Sequence, residues 1–323
     1  MAMDAELIAD RRRLRRKLTF WRVLGVLAAL AAVVAIGAVT AGRSSGRAGQ
    51  DQIARISVDG FIAGDQRMAD LMRRVGEAGH VKGVVISINS PGGTTTGSEE
   101  LHRNIRALAA KKPVVAFVDG LAASGGYITA LAADRIVARE TSLVGSIGVL
   151  FQFPDVSKLL TTLGVQVEEV KSSPLKAEPS GFKPTSPEAR AALQSVVNDT
   201  YGWFKGLVAE RRQMNEGQVA AVSTGQIFSG RQGLSLKLVD ELGGEREAVA
   251  WLERERNVAK DLPIRPWRPR SDRSNFDLWT AAAFSADLVG LDGLAASLRR
   301  ASAHQSLTVD GLLAVWQPSI SDK

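Results

Sequence analysis

Three short segments carry residue types that could perform acyl chemistry. Ala122-Ala123-Ser124-Gly125-Gly126-Tyr127 puts a serine among small residues, where the apolar run 113–118 has ended and a helical pattern begins. A hydroxyl there is unshielded and sits near the positive end of a helix, and the Gly125 amide beside it is a donor for a developing oxyanion. An ordinary N-cap serine has the same placement, and the segment is not the Gly-x-Ser-x-Gly elbow of α/β-hydrolases. Asn89-Ser90-Pro91-Gly92-Gly93 ends a second apolar run, 83–89. Its position suits a tight turn with unshielded amides at the ligand-binding edge of an open sheet, although Pro-Gly is also common turn punctuation. In Val144-Gly145-Ser146-Ile147-Gly148-Val149 two glycines bracket a serine. That pattern reads as a bend, or as a hydroxyl placed to orient an amine.

A nucleophilic serine needs a base. The chain has three histidines, His80, His102 and His304. His102, in the helix after the Gly-Gly segment, is the one best placed, but solvated or helix-surface histidine describes all three. Lysine is the other choice, because a desolvated lysine loses its charge and accepts a proton near neutral pH. The segment after residue 170 supplies Lys171, Lys176 and Lys183. Composition does not choose among them.

These residues need a scaffold, and the chain alternates strand-like and helix-like runs. Strands are expected at 53–58, 83–89, 113–118, 135–138, 146–151 and 165–170. Helices are expected at 67–79, 98–110 (with Ser98 as cap), 124–133, 155–163, 187–212 (capped by Ser186, with Pro187 in the first turn) and 245–256. Repeated strand–helix–strand units imply right-handed crossovers and a largely parallel sheet covered by helices. The 323 residues contain no cysteine, which excludes disulfides, thiolate metal sites and a cysteine nucleophile. No cofactor or metal is expected.

Charge placement directs the reading of the N-terminus. Residues 1–22 hold seven bases against three acids, a net +4 of the chain's formal +7. A nucleic-acid binder would spread its basic excess over a folded surface, so no nucleic-acid partner is expected. Residues 23–41 form a 19-residue run without a charge, close to the length that spans a bilayer core. With the arginines before it, the positive-inside rule leaves the N-terminus in the cytoplasm and the rest outside. A cleaved signal peptide, with Val39-Thr40-Ala41 as its site, and a buried soluble helix are the alternatives. The expected organisation is a basic cytoplasmic segment (1–22), a transmembrane helix (23–41), a small polar linker (42–50), an α/β domain (51–262) and a C-terminal extension (263–323) that caps a neighbouring subunit or lies on the bilayer.

Taken together, Ile88-Asn89-Ser90-Pro91-Gly92-Gly93, Ala123-Ser124-Gly125-Gly126-Tyr127, Gly145-Ser146-Ile147-Gly148-Val149, the lysine segment around Lys176, and Ile227-Phe228-Ser229-Gly230-Arg231-Gln232-Gly233 with Gly243-Gly244 resemble the signal peptide peptidase A family of membrane-anchored serine proteases, in its single-domain form. The likeness covers roughly residues 53–256. It implies a crotonase/Clp-protease-like α/β domain with a Ser–Lys dyad. Ser124 matches the nucleophile, Lys176 the general base and Ser146 the serine that positions it. Gly92, Gly93 and Gly125 match the oxyanion-hole region. Around the lysine the family has an aromatic residue before and an aspartate after, where this chain has Leu175 and Ala177; Lys171 is the fallback base. The resemblance further implies a homo-oligomer, an octameric ring on the pattern of single-domain members, with remnant signal peptides as substrates in a bacterial inner membrane and a periplasmic catalytic domain. Rival readings are a membrane-protein quality-control protease, a crotonase-type acyl-CoA enzyme and an inactive membrane scaffold.

Overall fold

The computed structural model describes residues 49–270 and the backbone strand Leu312–Val315. The expected basic segment and membrane span at 1–41 lie outside the described residues. Among the described residues no helix is long and apolar enough to cross a membrane.

A mixed, ten-stranded sheet organises the domain. Its centre is β2 (Val81–Thr94), flanked in parallel by β1 (Gln52–Ile62) and β3 (Val114–Ala123). Beyond β3 lie β4 (Arg135–Ala138) and, by a different part of the same edge, β5 (Leu143–Gly145). The apolar runs at 83–89 and 113–118 do not alternate with polar residues because both faces of the sheet are buried. Val84, Ile86 and Ile88 face one cluster, shared with α1 (Gln66–Glu77), α2 (Thr95–Ala109), α3 (Gly125–Leu131) and α5 (Pro187–Arg212). Val85, Val115, Phe117 and Val137 face the other, closed by Ala248, Trp251 and Leu252 of α8 (Glu245–Glu255). Helix α1 shows the matching stripe: Leu71, Met72 and Val75 are buried, the spacing that puts side chains on one helical face.

The strand–helix order agrees with expectation, with four local differences. The Ser90-Pro91-Gly92-Gly93 segment is not a turn: β2 runs extended through it, because Phe61 and Ile62 of β1 pair with Gly92 and Gly93. Helix α2 then begins directly at Thr95, capped by Thr94, whose Oγ1 accepts from Gly97 N at 3.0 Å. Ser98 is therefore not the cap; it is buried one turn inside, donating to Thr94 O at 2.8 Å. Of the expected strand at 146–151 only β6 (Leu150–Phe151) forms; β5 ends before it at Gly145, and Ser146 follows at φ +52. The expected strand at 165–170 forms no ladder, and Val165, Val167 and Val170 are exposed.

The sheet also continues past residue 262. Strand β9 (Ile264–Trp267) pairs in parallel with β1. Strand β10 (Leu312–Val315) runs antiparallel to both Gly92–Thr94 of β2 and Leu150–Phe151 of β6. The expected C-terminal extension thus contributes two strands to this chain's own sheet.

Phe204 of α5 is fully buried against the cluster that backs α3. Its replacement, Phe204→Ala, leaves a cavity that α5 and α3 cannot both close. A loss of about 3–5 kcal/mol is expected in urea or guanidinium unfolding.

Candidate active site

Ser124 sits where β3 ends and α3 begins. Strand β3 stays paired with β2 as far as Ala122 opposite Ser90, then leaves it. The chain turns at Ser124 with φ +53 and ψ −114, a conformation an L-residue adopts only when its neighbours enforce it. Several contacts do so. Ser124 N donates to Gly145 O at 2.8 Å, and Ser124 O accepts from Tyr127 N and Ile128 N, both at 2.9 Å. Gly126 lies so close to β2 that a Cβ there would meet Ser90 O at 2.6 Å. One turn on, the buried Tyr127 hydroxyl donates to Leu238 O at 2.9 Å; burial raises its pKa well above the usual phenol value. At the far end of α3, Arg211 Nε and Nη2 donate to Leu131 O and Ala133 O, each at 2.8 Å, and Arg106 Nη1 to Ala132 O at 2.9 Å. Such arginines satisfy carbonyls that a helix C-terminus leaves open. Tyr127, Arg106 and Arg211 had no marker in the sequence. Their importance comes from partners 26 to 111 residues away.

The N-cap explanation of Ser124 does not hold, because its side chain makes no capping bond. The residue is 1% exposed and its Oγ has one long contact, 3.5 Å to Gly148 O. Among the described residues the Gly125 N–H at the start of α3 has no acceptor. Beside this turn lies the end of β2 that β3 has left and β10 covers. Gly92 N donates to Ser90 Oγ at 3.1 Å, and Ser90 Oγ donates to Gly60 O at 2.6 Å. Gly93 carries no side chain because a Cβ would overlap the Ile62 carbonyl.

Ser146 is one residue beyond the carbonyl that holds Ser124 N. It is buried, with φ +52 and its N–H on Gln226 O at 2.7 Å. The structure therefore joins the Ser124, Gly125, Gly92–Gly93 and Ser146 segments. It does not place Lys176 in contact with them. Lys176 is exposed, its backbone N–H turned to Ser173 O at 3.1 Å, and its ammonium has no partner among the described residues.

The other bases are less suitable. Lys171 Nζ is 2.6 Å from Glu178 Oε1 and 2.8 Å from Glu169 Oε2, so it is held as one member of a charged network. Lys183 shares the same two carboxylates, and its hydrogen bonds to Glu178 and then Glu169 raise its pKa above the lysine range. His102 is buried on α2 with an unpartnered Nε2. Burial first, then Arg211 and Arg106, push its pKa down to about 4, leaving a neutral ring with no contact to Ser124. Among the described residues no group of acids and histidines could hold a metal ion.

His102 has a consequence for stability. The unfolded chain takes up this proton near the ordinary histidine value of 6.5 and the folded chain only at about 4, so stability falls as pH drops through that window. The loss is on the order of 3 kcal/mol. A His102→Gln variant should lose less stability than the parent between pH 7 and pH 4.5 in urea titrations.

Comparison with known proteins places the chain among peptidases. The profile of peptidase family S49 matches residues 106–259. A provisionally named protease of Methanocaldococcus jannaschii is 41% identical over 179 residues, 55% of this chain and 58% of that protein. Another, from Synechocystis sp., is 36% identical over 201 residues, 62% of this chain and 73% of its own length. The chloroplastic serine protease SPPA of Arabidopsis thaliana is 32% identical over 225 residues, 65% of this chain but 33% of the plant protein. The chain thus spans between a third and three-quarters of the relatives compared. With the serine turn, the glycine-lined strand edge and the 36% identity across most of the Synechocystis protein, the chain belongs to peptidase family S49, the signal peptide peptidase A family.

Proposed function

We propose that this chain is a membrane-anchored serine endopeptidase with a crotonase/Clp-protease-like domain. Ser124 is the nucleophile and Lys176 the general base. Its substrates are apolar peptides, remnant signal peptides above all, cut outside the cytoplasm. The observation that carries the reading is the Ser124 turn: a buried, strained serine without a capping bond, beside an N–H without an acceptor.

In this mechanism the neutral Lys176 amine takes the Ser124 Oγ proton as Oγ attacks the scissile carbonyl carbon. The oxyanion accepts from Gly125 N–H and from the strand edge. Gly92 N–H is already engaged by Ser90 Oγ, which favours Gly93 over Gly92 as the second donor. Each such donor is worth about 3 kcal/mol. The C–N bond then breaks, the leaving amine takes the proton from Lys176, and water activated by the same lysine releases the acyl group. Ser146 orients the amine.

A peptide substrate needs an edge to pair with. Where β3 leaves β2, the edge at Gly92–Thr94 opens beside Ser124, and β10 occupies it as an antiparallel strand. An extended peptide of the same polarity would find a main-chain ladder there. The homo-oligomer, an octamer on the family's pattern, is supported by the segment that carries Lys176. Helix α4 (Ser157–Leu163) buries no side chain, and Leu159, Leu163, Val165, Val167, Leu175 and Phe182 are exposed. Packing of this arm in the assembly is what brings Lys176 to a serine. The lipid bilayer is engaged through residues 23–41, whose uncharged run and preceding arginines support a periplasmic catalytic domain in a bacterial inner membrane.

The test uses the full chain in detergent with a quenched peptide copied from a signal-peptide apolar core. Ser124→Ala and Lys176→Ala should each lower kcat/KM by at least about a thousandfold with unchanged circular dichroism. Retention of activity by Lys176→Ala would refute the dyad. An Ala314→Pro change removes one N–H from β10 and should raise kcat/KM several-fold if substrate takes the same edge. No change would detach substrate binding from that strand.

A further inference from the structure

Four side chains on the segment that carries Lys176 form a closed ring of ion pairs. Lys171 Nζ meets Glu178 Oε1 at 2.6 Å and Glu169 Oε2 at 2.8 Å. Lys183 Nζ meets the same two oxygens at 2.7 and 3.1 Å. The ring joins the two ends of the loop 172–177, which has neither strand nor helix. Within the loop two turn-like bonds set its shape, Lys176 N to Ser173 O at 3.1 Å and Glu178 N to Leu175 O at 3.3 Å, with Ala177 at φ +57. The loop's own side chains give it no anchor: residues 172–177 are all exposed.

Glu178 is the central member. Its side chain is 6% exposed, against 24% for Glu169 and 51% for Lys183. Exposed ion pairs contribute little, but removing one partner of a desolvated set leaves the others uncompensated. Without Glu178, two ammonium groups would be left to share the single carboxylate of Glu169 at the loop's neck. Hydrogen bonds from Lys171 and then Lys183 hold the Glu178 carboxyl down to about 2, so it stays ionised wherever the lysines are charged.

We infer that Glu178 is a positioning residue: by joining Lys171 to Lys183 at the neck of the loop, it fixes the backbone that presents Lys176. This rests on Lys176 being the general base. Glu178 touches no reacting atom; it acts two residues away, through the chain. Displacing a catalytic group by about 1 Å can cost on the order of a hundredfold in rate.

The experiment compares Glu178→Gln, Glu178→Asp and Lys176→Ala in the full-length protein. Glu178→Gln should lower kcat on the apolar peptide roughly ten- to hundredfold with KM little changed. The rise of kcat/KM with pH should also move to higher pH, because a lysine less closely held against the serine in the proposed assembly is better solvated there. Glu178→Asp, which keeps the charge, should recover most of the activity. Cleavage after Lys176 by a lysine-specific protease, read by mass spectrometry, should quicken in Glu178→Gln alone. A general loss of folding would lower activity without moving the pH profile, and that result overturns the proposal. So does an unchanged profile with unchanged cleavage while Lys176→Ala is dead, which sinks the clamp and leaves the dyad standing. Activity surviving in Lys176→Ala sinks the dyad instead, and with it the catalytic role given to Glu178; the cleavage assay then reports on the loop alone.

Discussion

Ser124 holds a backbone conformation with a cost on the order of 1–3 kcal/mol for a side chain other than glycine. The rest of the domain is arranged so that this conformation is the only one available. The turn is bonded on one side to Gly145 O, pressed on the other against Ser90 O through Gly126, and continued into a helix whose far end is gripped by Arg106 and Arg211. Those arginines come from α2 and α5, so two of the helices that cover one face of the sheet also set the axis of α3. Loosening any of these contacts frees the serine to relax toward an ordinary cap, where its hydroxyl would bond its own helix.

The second constraint is the divergence of β3 from β2. Parallel neighbours normally share an edge along their length, but here β3 must turn away to form the serine corner. The end of β2 then needs another neighbour on that side, and β10 supplies it, since an unpaired edge is a liability in any sheet. The glycines there follow from crowding on the opposite side, where β1 passes at Ile62. The same residues that make the edge approachable are therefore required by the packing of β1.

Much of this was legible in the sequence. The buried strands at 83–89 and 113–118 read correctly because doubly covered strands are continuous apolar runs, and Ser186-Pro187 marked the start of α5 as caps do. The placement of the Ser124 and Gly125 segment at a strand-to-helix change was visible from its small residues. The errors have physical causes. Pro-Gly-Gly suggests a turn, yet a strand pairing with residues some thirty positions earlier kept it extended. The alternating valines of 165–170 suggested a strand, but no partner lies beside them and they stay in solvent. Ser98 has the composition of a cap, but Thr94 reaches the free amide first. The ion-pair ring around Glu178 left no pattern at all, since charged residues in a loop look solvated until distances are known.

The end of β2 that β10 covers also decides how a chain bound in its place would be read. A strand laid along Gly92–Thr94 is gripped by amides and carbonyls that every peptide possesses, so the ladder itself is indifferent to sequence. Its side chains alternate between the two faces of the sheet, and only every second one meets the protein interior. Selection would thus work by omission, through shape at alternate positions and through refusal of residues without an N–H. A chain arriving as a helix would keep only part of its hydrogen bonding as it unwinds, since one edge pairs with alternate residues and the other main-chain groups turn to solvent.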